Sequence, residues 1–154
     1  LKINSNFKEV IQNCSKRKNN ENTWINEVIK KSYIQLNNLR FAHSVECWYQ
    51  DRLVGGLYGV HLGECFFGES MFSKLNNASK FCLLYLISLL IKNDFKLLDS
   101  QFYNKHLIQF GAYEINHGIY QSKLNKYLKK NCVFKNNIDY SESISILQSL
   151  IQTS

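Results

Sequence analysis

The chain has 154 residues, which suffices for one domain with a buried core. Hydrophobic residues make up 45% of it, and its formal net charge of +7 favours a polyanionic partner such as nucleic acid or a membrane surface. A Lys-rich surface that only reflects a biased coding genome explains the charge equally well. No run of about eighteen apolar residues is present, so no membrane-spanning helix is expected.

The cysteines and histidines lack the spacings that bind metals or form disulfide frameworks. The five cysteines stand singly, which predicts reduced and buried thiols in a reducing compartment. The four histidines include no H-E-x-x-H pattern, so no metal site is expected. The sequence opens on Leu1 with no signal peptide, which leaves a fragment and a processed form both open.

Two amphipathic helices are predicted near the start of the chain, after a short strand or arm over residues 1–5. Asn6 is expected to cap the first helix, with Glu9 bonding back to the cap as in a capping box. Thr23 is expected to cap the second helix, which runs from Trp24 to about Asn37. The residues predicted on the buried face of the second helix are Ile25, Val28, Ile29, Ser32 and Leu36.

After the second helix, the alternation of polar and apolar residues predicts strands. An antiparallel meander of three strands is expected over residues 43–48, 53–60 and 65–67. Gly55 and Gly56 inside the second strand indicate a bulge or the close approach of another backbone. A long apolar helix from Ala78 to about Lys92 is then expected to lie buried against the sheet.

The C-terminal part of the chain is predicted to combine short strands with helices. In order, we expect a strand at Phe95–Ser100, a short helix at Asn104–Phe110, a strand at Ala112–Ile115, a basic helix ending at Lys126–Lys130 and a terminal helix at Ser141–Ile151. Three antiparallel strands followed by a helix and a further strand are typical of an α+β architecture, here one domain over residues 1–154.

Two short stretches place polar side chains where catalysis or specificity can arise. Glu69 lies among aromatic and thioether side chains in Phe66–Ser73, and Asp99 and Gln101 follow an apolar pair. The spacing of two predicts that Asp99 and Gln101 share one face of a strand. Taken singly, Glu69 can be an edge charge paired with a lysine, Asp99 a strand-end cap and Gln101 a solvent-facing side chain.

Six sequence blocks occur in the order and spacing of one known family. The blocks are Asn22–Ile25, Ala42–Glu46, Leu53–Val60, Gly68–Ser73, Ala78–Lys80 and Asp99–Gln101. Through them the chain resembles the bacterial leucyl/phenylalanyl-tRNA–protein transferases over about residues 6–125. The resemblance implies a GNAT-like acyl-N-acyltransferase fold, with a mixed and mostly antiparallel sheet flanked by helices. It makes residues 1–130 a family-like core and residues 131–154 an extra C-terminal loop and helix.

The resemblance also implies an activity and its partners. Members of the family move Leu or Phe from aminoacyl-tRNA to proteins that begin with Arg or Lys, which tags those proteins for degradation by the N-end rule. The aminoacyl ester supplies the energy, so no metal, nucleotide or other cofactor is implied. The reaction is expected in the cytoplasm or in an organelle of bacterial descent, with no membrane partner.

The resemblance assigns substrate-binding roles to particular side chains. Trp24 and Tyr33 hold the terminal adenosine and the aminoacyl ester, since stacking on an aromatic face is the usual way to bind an unpaired base. Glu69 meets the cationic first side chain of the acceptor protein. An apolar pocket for the Leu or Phe side chain has as its implied lining Leu57, Phe66, Met71, Leu84 and Leu98.

The resemblance also implies a catalytic group of three polar side chains. Asp99 orients and polarises Gln101, which helps to accept or relay a proton from the acceptor's α-amine, and Asn104 extends that relay. An amide is a poor base, so orientation of the amine on the activated ester is expected to suffice. Positioning of this kind supplies about 7–11 kcal/mol in well-oriented reactions.

The sequence departs from the family pattern at its start and in its basic residues. The N-terminal subdomain that helps family members to grip tRNA lies ahead of the region matching Leu1, and Asn22 stands where His is usual. The basic side chains expected to compensate for the weaker grip on tRNA are Lys123, Lys126, Lys129 and Lys130. Two other functions stay open: an acetyl-CoA-dependent acyltransferase of the same fold, and a catalytically degenerate module that binds tRNA or basic N-termini.

Overall fold

The computed structural model describes residues 1–16, 23–102 and 105–152, except for the side chains of His106 and Ile151. The helices in these ranges are α1 (Phe7–Cys14), α2 (Glu27–Asn38), α3 (Ala78–Lys92), α4 (Lys105–Ile108), α5 (His117–Tyr127) and α6 (Tyr140–Gln152). The strands are β1 (Lys2–Ile3), β2 (Ala42–Tyr49), β3 (Arg52–Leu62), β4 (Cys65–Ser73) and β5 (Leu97–Asp99). No helix in these ranges is long and apolar enough to cross a membrane.

The strands form a sheet in the order β1-β2-β3-β4-β5. β1 and β3 each pair antiparallel with β2, and β4 pairs in parallel with β5. The predicted α+β class with a mixed sheet is therefore confirmed, and it is consistent with the GNAT-like fold that the resemblance implies.

The residues cluster into two compact units. The first consists of Leu1–Val60 and Glu69–Leu86, and the second of His61–Gly68 and Ile87–Ser154. The first unit contains β1, β2, α1 and α2, and the second contains β5, α4, α5 and α6. β3, β4 and α3 contribute residues to both.

The start of α1 is capped as the sequence predicts. The Asn6 side chain accepts a hydrogen bond from the Glu9 N–H at 3.2 Å and donates through Nδ2 to Glu9 Oε2 at 2.9 Å. Phe7, Val10 and Ile11 on the inner face of the helix lie in the buried core of the first unit. The Asn6 cap and the amphipathic character of α1 are therefore confirmed. The capping box is wrong in one half, because Glu9 accepts from the Asn6 side chain, whereas the Asn6 backbone N–H donates to Glu46.

The predicted start of α2 at Thr23 is wrong, because the helix begins later with Asn26 as its cap. Asn26 Oδ1 accepts from the Ile29 N–H at 3.0 Å, whereas Thr23 Oγ1 accepts from the Ile25 N–H at 3.2 Å. The non-helical segment ahead of the helix lets Ile25 enter the core, where it is 1% exposed. Val28, predicted on the buried face, is 72% exposed.

Gly55 and Gly56 in β3 lie at a bulge and at close approaches of two helices, the two features that the sequence indicated. The register between β2 and β3 shifts after Cys47, the partner of Gly55, which marks a bulge. A Cβ at Gly55 would lie 2.5 Å from the Cβ of Ala78 in α3. A Cβ at Gly56 would lie 3.3 Å from a methyl group of Val10 in α1. Successive strand residues point to opposite faces, so α1 and the first residues of α3 cover opposite faces of this strand.

A buried carboxylate joins α1 to β2. Glu46 is 0% exposed, and its Oε1 accepts from the backbone N–H of Asn6 and from the Ser44 hydroxyl, each at 2.8 Å. Its Oε2 accepts from the indole N–H of Trp48 at 3.0 Å. A buried charge is tolerated when several donors surround it. The block Ala42–Glu46, which contributes to the family resemblance, therefore has a structural function.

Tyr58 on β3 buries a hydroxyl that has no hydrogen-bond partner in the part of the chain described. The side chain is 0% exposed, and the rings of Phe7 and Tyr33 pack edge-on against it at 5.8 and 5.2 Å between centroids. An unpaired buried polar group costs about 1–3 kcal/mol, so Tyr58→Phe is expected to raise the free energy of unfolding by about 1 kcal/mol in urea titrations. The control Tyr120→Phe removes a hydroxyl that donates to Asp99 at 2.6 Å, and it is expected to lower stability. A comparable loss in Tyr58→Phe would contradict the prediction and identify a buried partner.

The core of the second unit forms around Phe134, in the segment before α6. The Phe134 ring centroid lies 5.7 Å from that of Phe66 and 6.2 Å from that of Phe95. The His61 ring stacks on it at 6.4 Å. The segment between α5 and α6 has no regular secondary structure and still contributes a central aromatic side chain.

The predicted terminal helix is confirmed as α6, which contacts the end of α3. The hydroxyls of Ser143 and Ser88 lie 2.6 Å apart, and both residues are buried. Glu142 forms an ion pair with Lys92. α6 is therefore an integral part of the second unit.

Two predicted strands have clearly different bounds in the structure, and a third predicted strand does not form among the described residues. β4 continues to Ser73, so Glu69 lies within a strand, and β5 is shorter than the predicted Phe95–Ser100. The predicted strand at Ala112–Ile115 is wrong, because those described residues form no strand. The chain turns at Gly111, where φ is +84°, and leaves residues 112–114 exposed and unpaired by any strand described.

The turn between β3 and β4 binds the end of α5. The Glu64 N–H donates to the Tyr127 carbonyl at 3.0 Å, and Lys130 Nζ lies 3.7 Å from Glu64 Oε1. Gly63 has a φ of +56°, and a Cβ there would lie 2.4 Å from the same Tyr127 oxygen. A side chain at Gly63 would therefore be both strained and obstructed.

Candidate functional site

Glu69 on β4 lies beside Tyr33 of α2, within the first unit. Burial, and then the neighbouring Glu69 carboxylate, raise the pKa of the Tyr33 phenol above its usual range. The phenol therefore stays protonated at neutral pH and faces the carboxylate as a donor. Glu69 is half-buried, so it can present a fixed negative charge to a cation that reaches it.

The two aromatic residues predicted to hold the adenosine differ in exposure. Trp24 lies just before α2 and is 46% exposed, with its carbonyl accepting from the Asn26 N–H at 2.9 Å. Tyr33 is half-buried, and its ring packs edge-on against Tyr58. Trp24 therefore offers the more accessible ring face for a base, whereas Tyr33 is anchored in the core.

Asp99 ends β5 and accepts two hydrogen bonds within the second unit. Its Oδ1 accepts from the backbone N–H of Gln101 at 2.7 Å, and its Oδ2 accepts from the Tyr120 hydroxyl at 2.6 Å. The bond to Asp99 raises the pKa of Tyr120 to about 12, so this phenol stays a donor at neutral pH. Sequence reasoning missed Tyr120, which lies on α5 and has no local motif that marks it.

The prediction that Asp99 and Gln101 share a strand face is wrong, because β5 ends at Asp99. Gln101 has a φ of +66°, and its N–H bonds back to the Asp99 carboxylate in an Asx turn. Asp99 therefore fixes the backbone of Gln101, whose side chain is exposed. Asn104, the third predicted catalytic residue, lies outside the described residues.

The side chains predicted to line an apolar pocket range from buried to exposed. Leu57 and Phe66 are 3% and 0% exposed, and Leu84 is half-buried. Met71 and Leu98 are 43% and 37% exposed. The strand register pairs Phe66 with Leu98. Met71 and Leu98 therefore offer most of the accessible apolar surface in this set.

The lysines expected to contact tRNA lie on and after α5. Lys126, Lys129 and Lys130 are exposed, and Lys123 is half-buried. Lys130 is the residue that approaches Glu64 at 3.7 Å. The C-terminal end of a helix favours cations, which by itself explains why these lysines cluster here. Their positive charge is still available to a bound phosphate.

The cysteines are free thiols that are buried or half-buried. No group of three or more His, Cys, Asp or Glu suited to a metal ion occurs among the residues described. Burial raises the pKa of Cys14 to about 12 and that of Cys65 to about 11. At neutral pH these thiols are protonated, so neither supplies a thiolate nucleophile.

Comparison with known proteins identifies the family of the chain. The model of the family described as leucyl/phenylalanyl-tRNA protein transferase matches residues 1–125. Leucyl/phenylalanyl-tRNA–protein transferases from Phenylobacterium zucineum and Desulfotalea psychrophila are 48% and 53% identical to it over 129 and 116 residues. These alignments cover 83% and 74% of this chain, but 58% and 51% of the relatives, so the chain spans about half the length of these curated relatives. The Caulobacter vibrioides relative is 44% identical over 155 positions that cover 100% of this chain and 71% of that protein. The chain therefore belongs to the leucyl/phenylalanyl-tRNA–protein transferase family.

Proposed function

We propose that this chain transfers Leu or Phe from aminoacyl-tRNA to the α-amine of proteins that begin with Arg or Lys. Family membership supports the reaction class. The observation that carries the proposal is the Asp99 carboxylate, which holds the Gln101 backbone in an exposed turn at the end of β5. Charged tRNA and newly made proteins meet in the cytoplasm, so we assign the reaction to that compartment and its products to degradation by the N-end rule.

The proposed reaction is an aminolysis of the aminoacyl ester. The acceptor's α-amine attacks the ester carbonyl, a C–N bond forms, and the C–O bond to the terminal ribose breaks. The amine loses a proton, and the departing ribose oxygen gains one. Gln101 orients the amine, and Asn104 extends the proton relay. This orientation supplies most of the rate because the ester is already activated. The reaction balances without a cofactor.

Glu69 is proposed to select the acceptor protein. A half-buried carboxylate beside Tyr33 gives a charge-assisted contact to either Arg or Lys, and it disfavours an acidic first residue. Such a contact explains discrimination by charge without a requirement for one particular cationic side chain.

The aminoacyl-tRNA is proposed to bind through stacking and apolar contacts. Trp24, at 46% exposed, stacks on the terminal adenine, while the anchored Tyr33 supports the aminoacyl ester. Met71 and Leu98 offer apolar surface to a Leu or Phe side chain, and the flexible thioether accommodates either shape. The exposed lysines after residue 125 add phosphate contacts.

The start of α3 supports aminoacyl-tRNA over acetyl-CoA as the acyl donor. The segment Ser73–Asn77 contains no glycine, and the Ser73 hydroxyl accepts from the Ser79 N–H at 3.2 Å. A pyrophosphate needs free N–H groups at a helix N-terminus, and one of them is already bonded here.

Transfer of labelled Leu from Leu-tRNA to two peptides that differ only in their first residue, Arg or Asp, tests the proposal. We expect label in the Arg peptide alone. Glu69→Ala is expected to lower kcat/KM for the Arg peptide by about 10- to 100-fold, the range for a lost charged hydrogen bond. Gln101→Ala is expected to slow transfer, whereas the control Gln148→Ala on the exposed face of α6 keeps the wild-type rate.

Two results would contradict the proposed function. Binding of tRNA or of the Arg peptide without any transfer identifies a binding module instead. Transfer from acetyl-CoA in place of Leu-tRNA identifies the other acyltransferase. Equal labelling of the Arg and Asp peptides would contradict only the assignment of acceptor selection to Glu69, and it would leave the transfer reaction intact.

A further inference from the structure

Tyr120 bonds directly to a predicted site residue, although the proposed mechanism assigns it no function. Its hydroxyl donates to Asp99 Oδ2 at 2.6 Å, while the Gln101 N–H occupies Oδ1 at 2.7 Å. Both carboxylate oxygens therefore have a donor. Loss of either donor frees the carboxylate to rotate about its side chain.

Tyr120 lies on a helix that is capped at its start and hydrogen-bonded to another segment of the chain at its end. At the start of α5, the Asn116 side chain accepts from the Gly118 N–H at 2.8 Å. At the end of α5, the Tyr127 carbonyl accepts from the Glu64 N–H at 3.0 Å. Tyr120 stands in the first turn of α5, and the bond from Glu64 fixes the other end of the helix. The phenol therefore approaches Asp99 from a fixed direction.

The Gln101 backbone depends on this arrangement. Its φ of +66° lies in the left-handed region, which residues other than glycine seldom adopt. The bond from its N–H to Asp99 closes an Asx turn that stabilises this conformation. The direction of the Gln101 side chain therefore follows from the orientation of the Asp99 carboxylate, which Tyr120 fixes in turn.

We propose that Tyr120 is a positioning residue of the transfer reaction, acting on Gln101 through the Asp99 carboxylate. The inference rests on the proposed transfer function and deepens it. Tyr120 contributes to the rate of the chemical step and not to the binding of either substrate, because its hydroxyl is committed to Asp99.

Steady-state transfer with Tyr120→Phe tests the inference. We expect kcat to fall by about tenfold, with KM for aminoacyl-tRNA and for the Arg peptide within about twofold of wild type. The matched control Tyr127→Phe removes a hydroxyl from the same helix and is expected to keep the wild-type kcat. In an Asp99→Ala background, Tyr120→Phe is expected to cause no further loss, as a double-mutant cycle requires of residues that act in series.

Each outcome is decisive. Wild-type kcat in Tyr120→Phe, or an equal loss in the Asp99→Ala background, overturns the positioning function and leaves the proposed function intact. A rise in KM with unchanged kcat also overturns it, because the hydroxyl would then contribute to substrate binding. A wild-type chain that transfers neither Leu nor Phe overturns the proposed function and this inference with it.

Discussion

Replacement of Asp99 by Ala is expected to lower kcat for transfer by about 10²-fold while the chain stays folded. Ala removes both acceptor oxygens, so the Gln101 N–H and the Tyr120 hydroxyl lose their partner. The Asx turn then opens, and displacement of an orienting group by about 1 Å costs on the order of 10²-fold in rate. Single-turnover transfer of labelled Leu measures the effect, and thermal unfolding verifies that the fold is retained.

Asp99→Asn separates the position of the side chain from its charge. Asn keeps an oxygen for the Gln101 N–H and is itself favoured in Asx turns, so the backbone geometry is preserved. We expect its kcat to lie within about tenfold of wild type, well above that of Asp99→Ala. Equal losses in both variants would contradict a positioning function and require the negative charge in the proton transfer.

The features of the fold that the sequence predicted depend on neighbouring residues. The Asn6 cap of α1 lies within one helical turn of Glu9, and the hydrogen bonds between these two residues follow from residue type and spacing. Gly55 and Gly56 predicted a close approach of another backbone, because a strand seldom contains two residues without side chains. The apolar run of α3 likewise predicted a helix with the observed bounds, Ala78–Lys92.

The features that the sequence did not predict depend on contacts between distant segments. Thr23 is a good capping residue, but burial of Ile25 in the core delays the helix to the Asn26 cap. Ala112–Ile115 has a strand-like pattern, yet no strand pairs with it among the described residues. The local sequence pattern does not show whether a partner strand lies beside a segment, so strands are predicted at too many such segments.

The same distinction applies to the candidate site. Glu69, Asp99 and Gln101 were identified through a family resemblance whose blocks are local in sequence. Their geometry was not predictable, because the partner of Glu69 is Tyr33 on α2 and the partner of Asp99 is Tyr120 on α5. A tyrosine in a predicted helix has no sequence signal that marks its hydroxyl as bonded to a carboxylate.

Gly63→Ala is expected to cause the largest loss of stability, about 3–5 kcal/mol in the free energy of unfolding. A Cβ at Gly63 would lie 2.4 Å from the Tyr127 carbonyl oxygen and 2.7 Å from that of Leu128. Both are backbone atoms of the end of α5 and the residue after it, so no side-chain rotation relieves the overlap. The φ of +56° adds the strain of a left-handed conformation at a residue with a side chain.

Gly111→Ala isolates the strain from the overlap, because Gly111 has a φ of +84° and a Cβ there would meet nothing within 4 Å. We expect this control to lose about 1 kcal/mol, the cost of the left-handed conformation alone. Urea unfolding of both variants measures the difference. Equal losses of stability in Gly63→Ala and Gly111→Ala would contradict the prediction, because they would mean that the end of α5 moves away from the new Cβ with no loss of free energy. In that case transfer should also slow in Gly63→Ala, because a displaced α5 carries Tyr120 away from Asp99.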